Sequence, residues 1–297
     1  MQHTARRAAP LIAMLLSTWM LWPHAASAQA AAPGSNPIIR DKFTADPAPL
    51  VVGDRLYLYV GHDQAQRDEM FNMREWLVYS TTDMKSWTDH GPIMKVADFT
   101  WAKAVAWASQ AIEKNGRFWF YAAVEHDATH PGKAIAVAVS DSPTGPFVDA
   151  KGSALITNEM TPKGTHSWED IDPTVFTDDD GSTWIAWGNR QCYIARLKPN
   201  MVELDGPITE ITPPHFEEGP WLHKRGDLYH LTYASLDRSK HRDEKVSYAT
   251  AKKGKKGARV IFRFKRKLTL APYFSTAWVK LSRKRPGAGP STVPSTS

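Results

Sequence analysis

The chain has 297 residues, with 37 Lys and Arg against 31 Asp and Glu, and a single cysteine, Cys192. No internal disulfide is available, so stability must come from a buried core. The net charge of +6 hides an asymmetry: residues 251–297 hold 13 basic residues and no acidic one, while residues 31–250 hold 22 basic residues against all 31 acidic ones. An acidic body with a basic tail argues against nucleic acid as a partner.

At the N-terminus, Arg6 and Arg7 precede an apolar run from Leu11 to Trp22 and then Ala26-Ser27-Ala28. Charged, apolar, then small is the order of a secretory signal peptide, assigned to residues 1–28. The run is too short for a comfortable membrane span, and no later segment is longer and as apolar. The expected protein is secreted or periplasmic, with no stable membrane insertion.

Four later segments look alike: LVVGDRLYLYVGHD from Leu50, AIEKNGRFWFYAAVEH from Ala111, VFTDDDGSTWIAWGN from Val175 and WLHKRGDLYHLTYAS from Trp221. Each is a short apolar run, a polar Gly or Asp turn and an aromatic-rich strand, which is a β-hairpin signal. The turns at Asp54, Gly116, Gly181 and Gly226 are 62, 65 and 45 residues apart. A further strand follows each hairpin, and no stretch after the signal peptide carries a helical period. The predicted class is all-β. A repeated unit of three or four antiparallel strands is the pattern of a β-propeller blade, whereas a β-sandwich does not repeat a hairpin-plus-strand unit so regularly.

An acidic residue stands just before the first strand in three of the four repeats. Asp46 lies in TADPAPLVV, Asp172 in DIDPTVF and Glu218 in FEEGPWL, each followed by Pro directly or after one Gly. Proline fixes φ and lacks a donor, which suits the first position of a strand. First strands line the channel of a propeller, so three such positions would converge. Converging carboxylates raise each other's pKa, which is costly unless it serves chemistry. Asp178, Asp179 and Asp180 read as an exposed hairpin turn, and Glu169 and Asp170 as loop residues. No His/Cys cluster has zinc spacing, and neither a phosphate-binding glycine loop nor a nucleophile elbow is present. Among 12 tryptophans, Trp107 in AWASQ sits at a channel-facing position, with Trp168 and Asn189 as further sugar contacts. His62, in GHD at the end of an inner strand, is the remaining binding candidate.

ADP, IDP and EGPW on successive repeats resemble glycoside hydrolase family 43, whose members are five-bladed β-propellers acting on arabinose- and xylose-containing polysaccharides. GHD, EWLVYSTTDMKSWTDHG, VAVSDSPTGPF and YHLTYAS are similar to the blade strands of that family, and the resemblance runs from about Asn36 to about Thr250. It implies that Asp46 is the general base activating water and Glu218 the general acid protonating the leaving oxygen. Asp172 would orient that acid and tune its pKa. Inversion requires the base and acid carboxyls to be roughly 6.5–9.5 Å apart. The implied substrate is arabinoxylan or an arabino- or xylo-oligosaccharide. The branch is that of α-L-arabinofuranosidase or β-xylosidase, and the protein is expected to be a monomer.

The resemblance stops near Thr250. Residues 31–250 would supply about three and a half to four of the five blades, and residues 251–297 read as a basic, partly disordered tail. The charge break suggests truncation or a shifted reading frame, with at most one or two further strands added to the fourth blade. In the family a fifth-blade His, often beside calcium, and a sugar-holding Arg are implied. The tail has no acidic residue and no histidine, so calcium binding is doubtful and no cofactor is expected to be required. The rival readings are a non-catalytic carbohydrate-binding propeller remnant and a basic-tailed surface binder.

Overall fold

The computed structural model describes residues 34, 36–161, 166–239, 244–252 and 265–269. The expected signal peptide and most of the basic tail lie outside the described residues.

Four antiparallel sheets follow one another along the chain, which is a four-bladed propeller arrangement among the described residues. Blade 1 is β1 (Thr44–Val52), β2 (Arg55–Asp63), β3 (Met73–Thr81) and β4 (Thr88–Lys95). Blade 2 holds β5 (Ala102–Ala104), β6 (Ser109–Lys114), β7 (Arg117–His126), β8 (Lys133–Ser140) and β9 (Val148–Asp149), with β5 and β6 sharing one edge of β7. Blade 3 is β10 (Thr174–Thr177), β11 (Thr183–Trp187), β12 (Tyr193–Leu197) and β13 (Thr209–Glu210). Blade 4 is β14 (Phe216–Arg225), β15 (Leu228–Leu236), β16 (Glu244–Lys252) and β17 (Lys265–Thr269). β17 is the one described part of the tail after Lys252, and it pairs antiparallel with β16. The described residues hold two helical turns, both three-residue 3-10 turns, at Val96–Asp98 and Asn158–Met160.

The four predicted hairpins are β1–β2, β6–β7, β10–β11 and β14–β15. Asn115-Gly116 joins β6 to β7 with φ of +55° and +72°, the left-handed pair that a two-residue hairpin turn demands. The blade 3 turn is longer, running through Asp178 to Ser182.

The core lies between consecutive blades, and strand alternation sorts the side chains. On β7 and β8, Phe118, Phe120, Ala122, Ala134, Ala136 and Ala138 face blade 1, while Tyr121, Ala123, Ile135 and Val137 face blade 3. A strand covered on both faces reads as a continuous apolar run, which KAIAVAVS is. Small alanines on one face leave room for Trp76, Phe99 and Phe147. Each ring taken fully out of water is worth about 1.5–3 kcal/mol. A third core, with Cys192, Ile194, Leu222, Tyr229 and Leu231, joins blades 3 and 4.

Candidate active site

Backbone irregularity sets the site. β1 loses register between Ala45 and Ala48, and β14 does so between Glu218 and Trp221. Asp46, Asp172 and Gly219, each directly before a proline, take left-handed φ of +52°, +58° and +62°. Aspartate tolerates this region better than most residues, and glycine takes it freely. In β1 and β14 the skipped register is a β-bulge, a device that re-aims a side chain near a strand end. On β14 the left-handed residue is the glycine after Glu218, so the carboxylate there comes one position earlier than in ADP.

The three carboxylates meet. Asp46, Asp172 and Glu218 line one cavity of about 390 Å³, together with Trp107, Trp168 and Trp221. The volume falls in the range of small-molecule sites. Burial first, and then the negative charge of Glu218, push Asp46 from 3.8 up to about 7. Two oxygen contacts hold the acid segment. The Asn189 side-chain amide donates to Glu218 Oε2 at 2.8 Å, and the Gly219 N–H donates to Asp172 Oδ2 at 2.9 Å. Asp172 therefore fastens the backbone beside Glu218 across the junction of blades 3 and 4.

Trp107 carries the Lys133 ammonium 4.5 Å from its ring centroid, with Phe71 edge-on at 6.4 Å. Its carbonyl accepts from Trp76 Nε1 at 2.7 Å, which ties it to blade 1. Trp168 stands at the cavity with 54% of its surface exposed.

Two sequence-based candidates fall elsewhere. Asn189 is buried behind Glu218 and does not line the cavity; it touches the acid instead of a sugar. His62 is drawn aside to Glu75, Nδ1 to Oε1 at 2.8 Å, and does not line the cavity either. Phe71, Met73 and Tyr233 do line it without having been singled out. Phe71 comes from the loop after β2, where no periodicity marks a direction. Tyr233 sits in the aromatic strand YHLTYAS, whose in–out phase was the available signal.

The acidic turn also departs from expectation. Asp178 is 4% exposed, pairing with Lys224 Nζ at 3.1 Å and accepting from Tyr229 OH at 2.7 Å; Asp179 and Asp180 are exposed. Glu169 and Asp170 are loop residues, but both are buried. Among the described residues no group of three or more His, Cys, Asp or Glu side chains is arranged to hold a metal ion. The calcium that the resemblance implies finds no fitting donor set among them.

A propeller that gathers carboxylates from three blades in an aromatic-walled cavity has the build of a glycoside-cleaving enzyme. The model for glycosyl hydrolases family 43 matches residues 35–257, and the chain belongs to that family. It is 28% identical over 260 residues to a xylosidase/arabinosidase 43A from Humicola insolens, covering 68% of this chain and 75% of that one. It is 29% identical to an arabinoxylan arabinofuranohydrolase from Bacillus subtilis, covering 67% of this chain but only 44% of the relative. The solved structure of an α-L-arabinofuranosidase from Clostridium thermocellum superposes with a TM-score of 0.62 at 33% identity, covering 78% of this chain and 74% of that one.

Proposed function

We propose that the protein is an inverting glycosidase that removes terminal pentose units, α-L-arabinofuranosyl or β-xylosyl, from arabinoxylan-type hemicellulose. The observation that carries this reading is the meeting of Asp46, Asp172 and Glu218, from three blades, in one cavity. The named activities of the similar proteins supply the sugar class.

In the proposed reaction Glu218 gives its proton to the glycosidic oxygen as the C–O bond breaks. A water attacks the anomeric carbon from the opposite side, and Asp46 takes a proton from that water. Inversion follows from attack opposite the leaving group. A base works best when its pKa lies near the working pH, and the desolvated Asp46, at about 7, meets that condition. When Glu218 carries its proton, the charge opposing ionisation of Asp46 is gone. Asp172 keeps the Glu218 segment in place through the Gly219 N–H. Trp107 and Trp168 offer faces to the sugar ring, and Asn189 serves the acid. No cofactor enters this scheme. The N-terminal segment supports a secreted or periplasmic protein.

Turnover of aryl α-L-arabinofuranoside and aryl β-xyloside tests the reading, with the anomer of the first product followed by NMR. Release of the inverted sugar is expected. Binding of arabinoxylan oligosaccharides without release would favour the carbohydrate-binding propeller and sink the enzyme reading. Retention of configuration would sink the assigned roles.

A further inference from the structure

The buried carboxyl of Asp170 is not used by this scheme, yet the described contacts connect it to Glu218. Asp170 is fully buried, and its Oδ1 accepts from Trp187 Nε1 at 2.8 Å. Trp187 ends β11 and leads directly into Gly188 and Asn189. The backbone on both sides of Asp170 holds that turn: Ile171 O accepts from Gly188 N at 2.9 Å, and Glu169 O accepts from Asn189 N at 3.1 Å. The turn has no slack. Gly188 has φ +138°, and a Cβ there would lie 1.9 Å from Gln191 O. From this clamped turn the Asn189 amide reaches Glu218 Oε2.

Thr161 closes the far side of Asp170. Thr161 Oγ1 lies 2.9 Å from Asp170 Oδ2 and 3.0 Å from Asn158 O. The hydroxyl has one hydrogen for these two acceptors. If it goes to the Asn158 carbonyl, the Thr161 and Asp170 oxygens can approach only when the carboxyl carries a proton and donates it. Ionised, Asp170 would take the hydroxyl hydrogen, and the Asn158 carbonyl would keep only the Thr161 N–H, at 3.3 Å.

We infer that Asp170 is a positioning residue that works protonated, holding Trp187 and thereby the Gly188–Asn189 turn so that the Asn189 amide stays on Glu218. This rests on the proposed role of Glu218 as the acid. The surroundings agree in sign. Burial raises Asp170 to about 7 against the opposing bonds from Trp187 and Thr161, and the negative charges of Glu169 and Glu159 raise it further. Tyr193 faces it as well and is itself pushed up, chiefly by its own burial, with the Asp170 charge among the lesser causes.

Asp170→Asn mimics the protonated form, because the amide can accept from Trp187 and donate to Thr161. Asp170→Leu removes both bonds. Trp187→Phe removes only the Nε1 donor and serves if the leucine variant does not fold. With an aryl pentoside at pH 6, the expected kcat of Asp170→Asn is within about threefold of wild type. Asp170→Leu should fall about tenfold, as far as removing the Asn189 amide itself, and Trp187→Phe about fivefold, with KM moving less than about threefold. The melting temperature gives a readout independent of turnover. A carboxyl whose pKa is raised by folding contributes stability that is full below about pH 4 and is lost as pH rises through about 7. The asparagine variant should therefore gain on wild type in melting temperature between pH 5 and pH 8. Equal loss of kcat in Asp170→Asn and Asp170→Leu would overturn the inference, since the ionised form would then be the working one. So would a melting difference that stays flat from pH 5 to pH 8. A wild-type chain without turnover on either pentoside would overturn the proposed function and the positioning claim with it, and the melting profile would still decide where the proton sits.

Discussion

The two proposed catalytic carboxylates are set by different physics. Between blades 1 and 2 rings and methyl groups fill the contact, with Trp76, Phe99, Phe120 and Phe147 packed on Ala134, Ala136 and Ala138, and the polar bonds that cross it, from Trp76 Nε1 to Trp107 O at 2.7 Å and from Tyr59 OH to Pro143 O at 2.6 Å, end on backbone carbonyls rather than on charged groups. Between blades 3 and 4 an apolar core is present, but directional polar contacts cross it. Asp178 meets Lys224 and Tyr229, Thr174 Oγ1 accepts from Leu222 N at 3.1 Å, and Glu217 O accepts from Arg190 N at 2.6 Å. Asp46 belongs to the first half and Glu218 to the second. A base needs a changed proton affinity, and desolvation supplies that without any partner. A proton donor to one particular oxygen needs a fixed direction, and only directional bonds supply that. Glu218 accepts a directed bond from Asn189, whereas Asp46 is shifted by burial and by the Glu218 charge, and that difference follows the proposed roles.

The largest effects should come from the two carboxylates, and they should differ in kind. Asp46→Asn should lower kcat on the order of 10³-fold, within the usual range for removing a general base. It should also stabilise the fold at pH 8, because ionising the partly buried Asp46 costs up to about 4 kcal/mol for a shift from 3.8 to about 7. The gain should vanish toward pH 4, where Asp46 is protonated in the native state and ionisation is no longer demanded. Melting curves across pH 4–8 read this directly, and a gain independent of pH would mean that desolvation does not govern Asp46. Glu218→Gln should lose a similar factor on substrates with poor leaving groups and far less on aryl substrates with good ones. On the latter its acidic limb should move to lower pH, since removing the Glu218 charge lets Asp46 ionise earlier. An unmoved limb would uncouple the two halves.

Stability variants probe the same contrast away from chemistry. Trp76 is fully buried. Trp76→Ala should cost about 4 kcal/mol in urea unfolding, as a deleted core ring does. Asp178→Ala should cost about 2 kcal/mol, because Lys224 and Tyr229 lose a charged partner while Lys224 keeps Asp179. The double change Asp178→Leu with Lys224→Met should recover much of that loss, since an apolar pair avoids desolvating charge. If Asp178→Ala cost nothing, blades 3 and 4 would be held by apolar burial alone and the contrast would fail. Asn189→Ala should lower kcat about tenfold through the loss of one bond to a charged group, with KM nearly constant. A rise in KM alone would return Asn189 to the sugar.

The hairpins and the three carboxylates were legible because their signals are local. A turn glycine, an aromatic run and a proline after an acid are each read within a few residues. Asp178 was misread for the opposite reason: DDDG is a good solvated turn in isolation, and what buries its first aspartate are Lys224 and Tyr229, 46 and 51 residues away. Asp170 escaped because a buried carboxyl looks like any loop aspartate until Trp187 and Thr161 are seen around it. Phe71 could not be found because loop direction has no period. His62 and Asn189 lie on the segments the sequence points to, but the rotamers that bring them to Glu75 and Glu218 are not legible in it.

His62 gives the smallest effect and the sharpest test of the apolar half. It ends β2 on the same blade as Asp46, and a sugar-contacting histidine there would give that half a directional contact of its own. The structure turns its ring to Glu75, with side-chain exposures of 17% and 15%. A contact of this kind, partly open to water, is worth about 1 kcal/mol or less. His62→Ala should therefore change kcat/KM on aryl pentosides by less than about threefold, with a similarly small change in melting temperature. Glu75→Gln should behave alike, and the double variant should be no worse than either single one. A loss of tenfold or more in kcat/KM with unchanged melting would place His62 on the substrate. Blade 1 would then orient the sugar by hydrogen bonding, and desolvation of Asp46 would no longer be its main contribution.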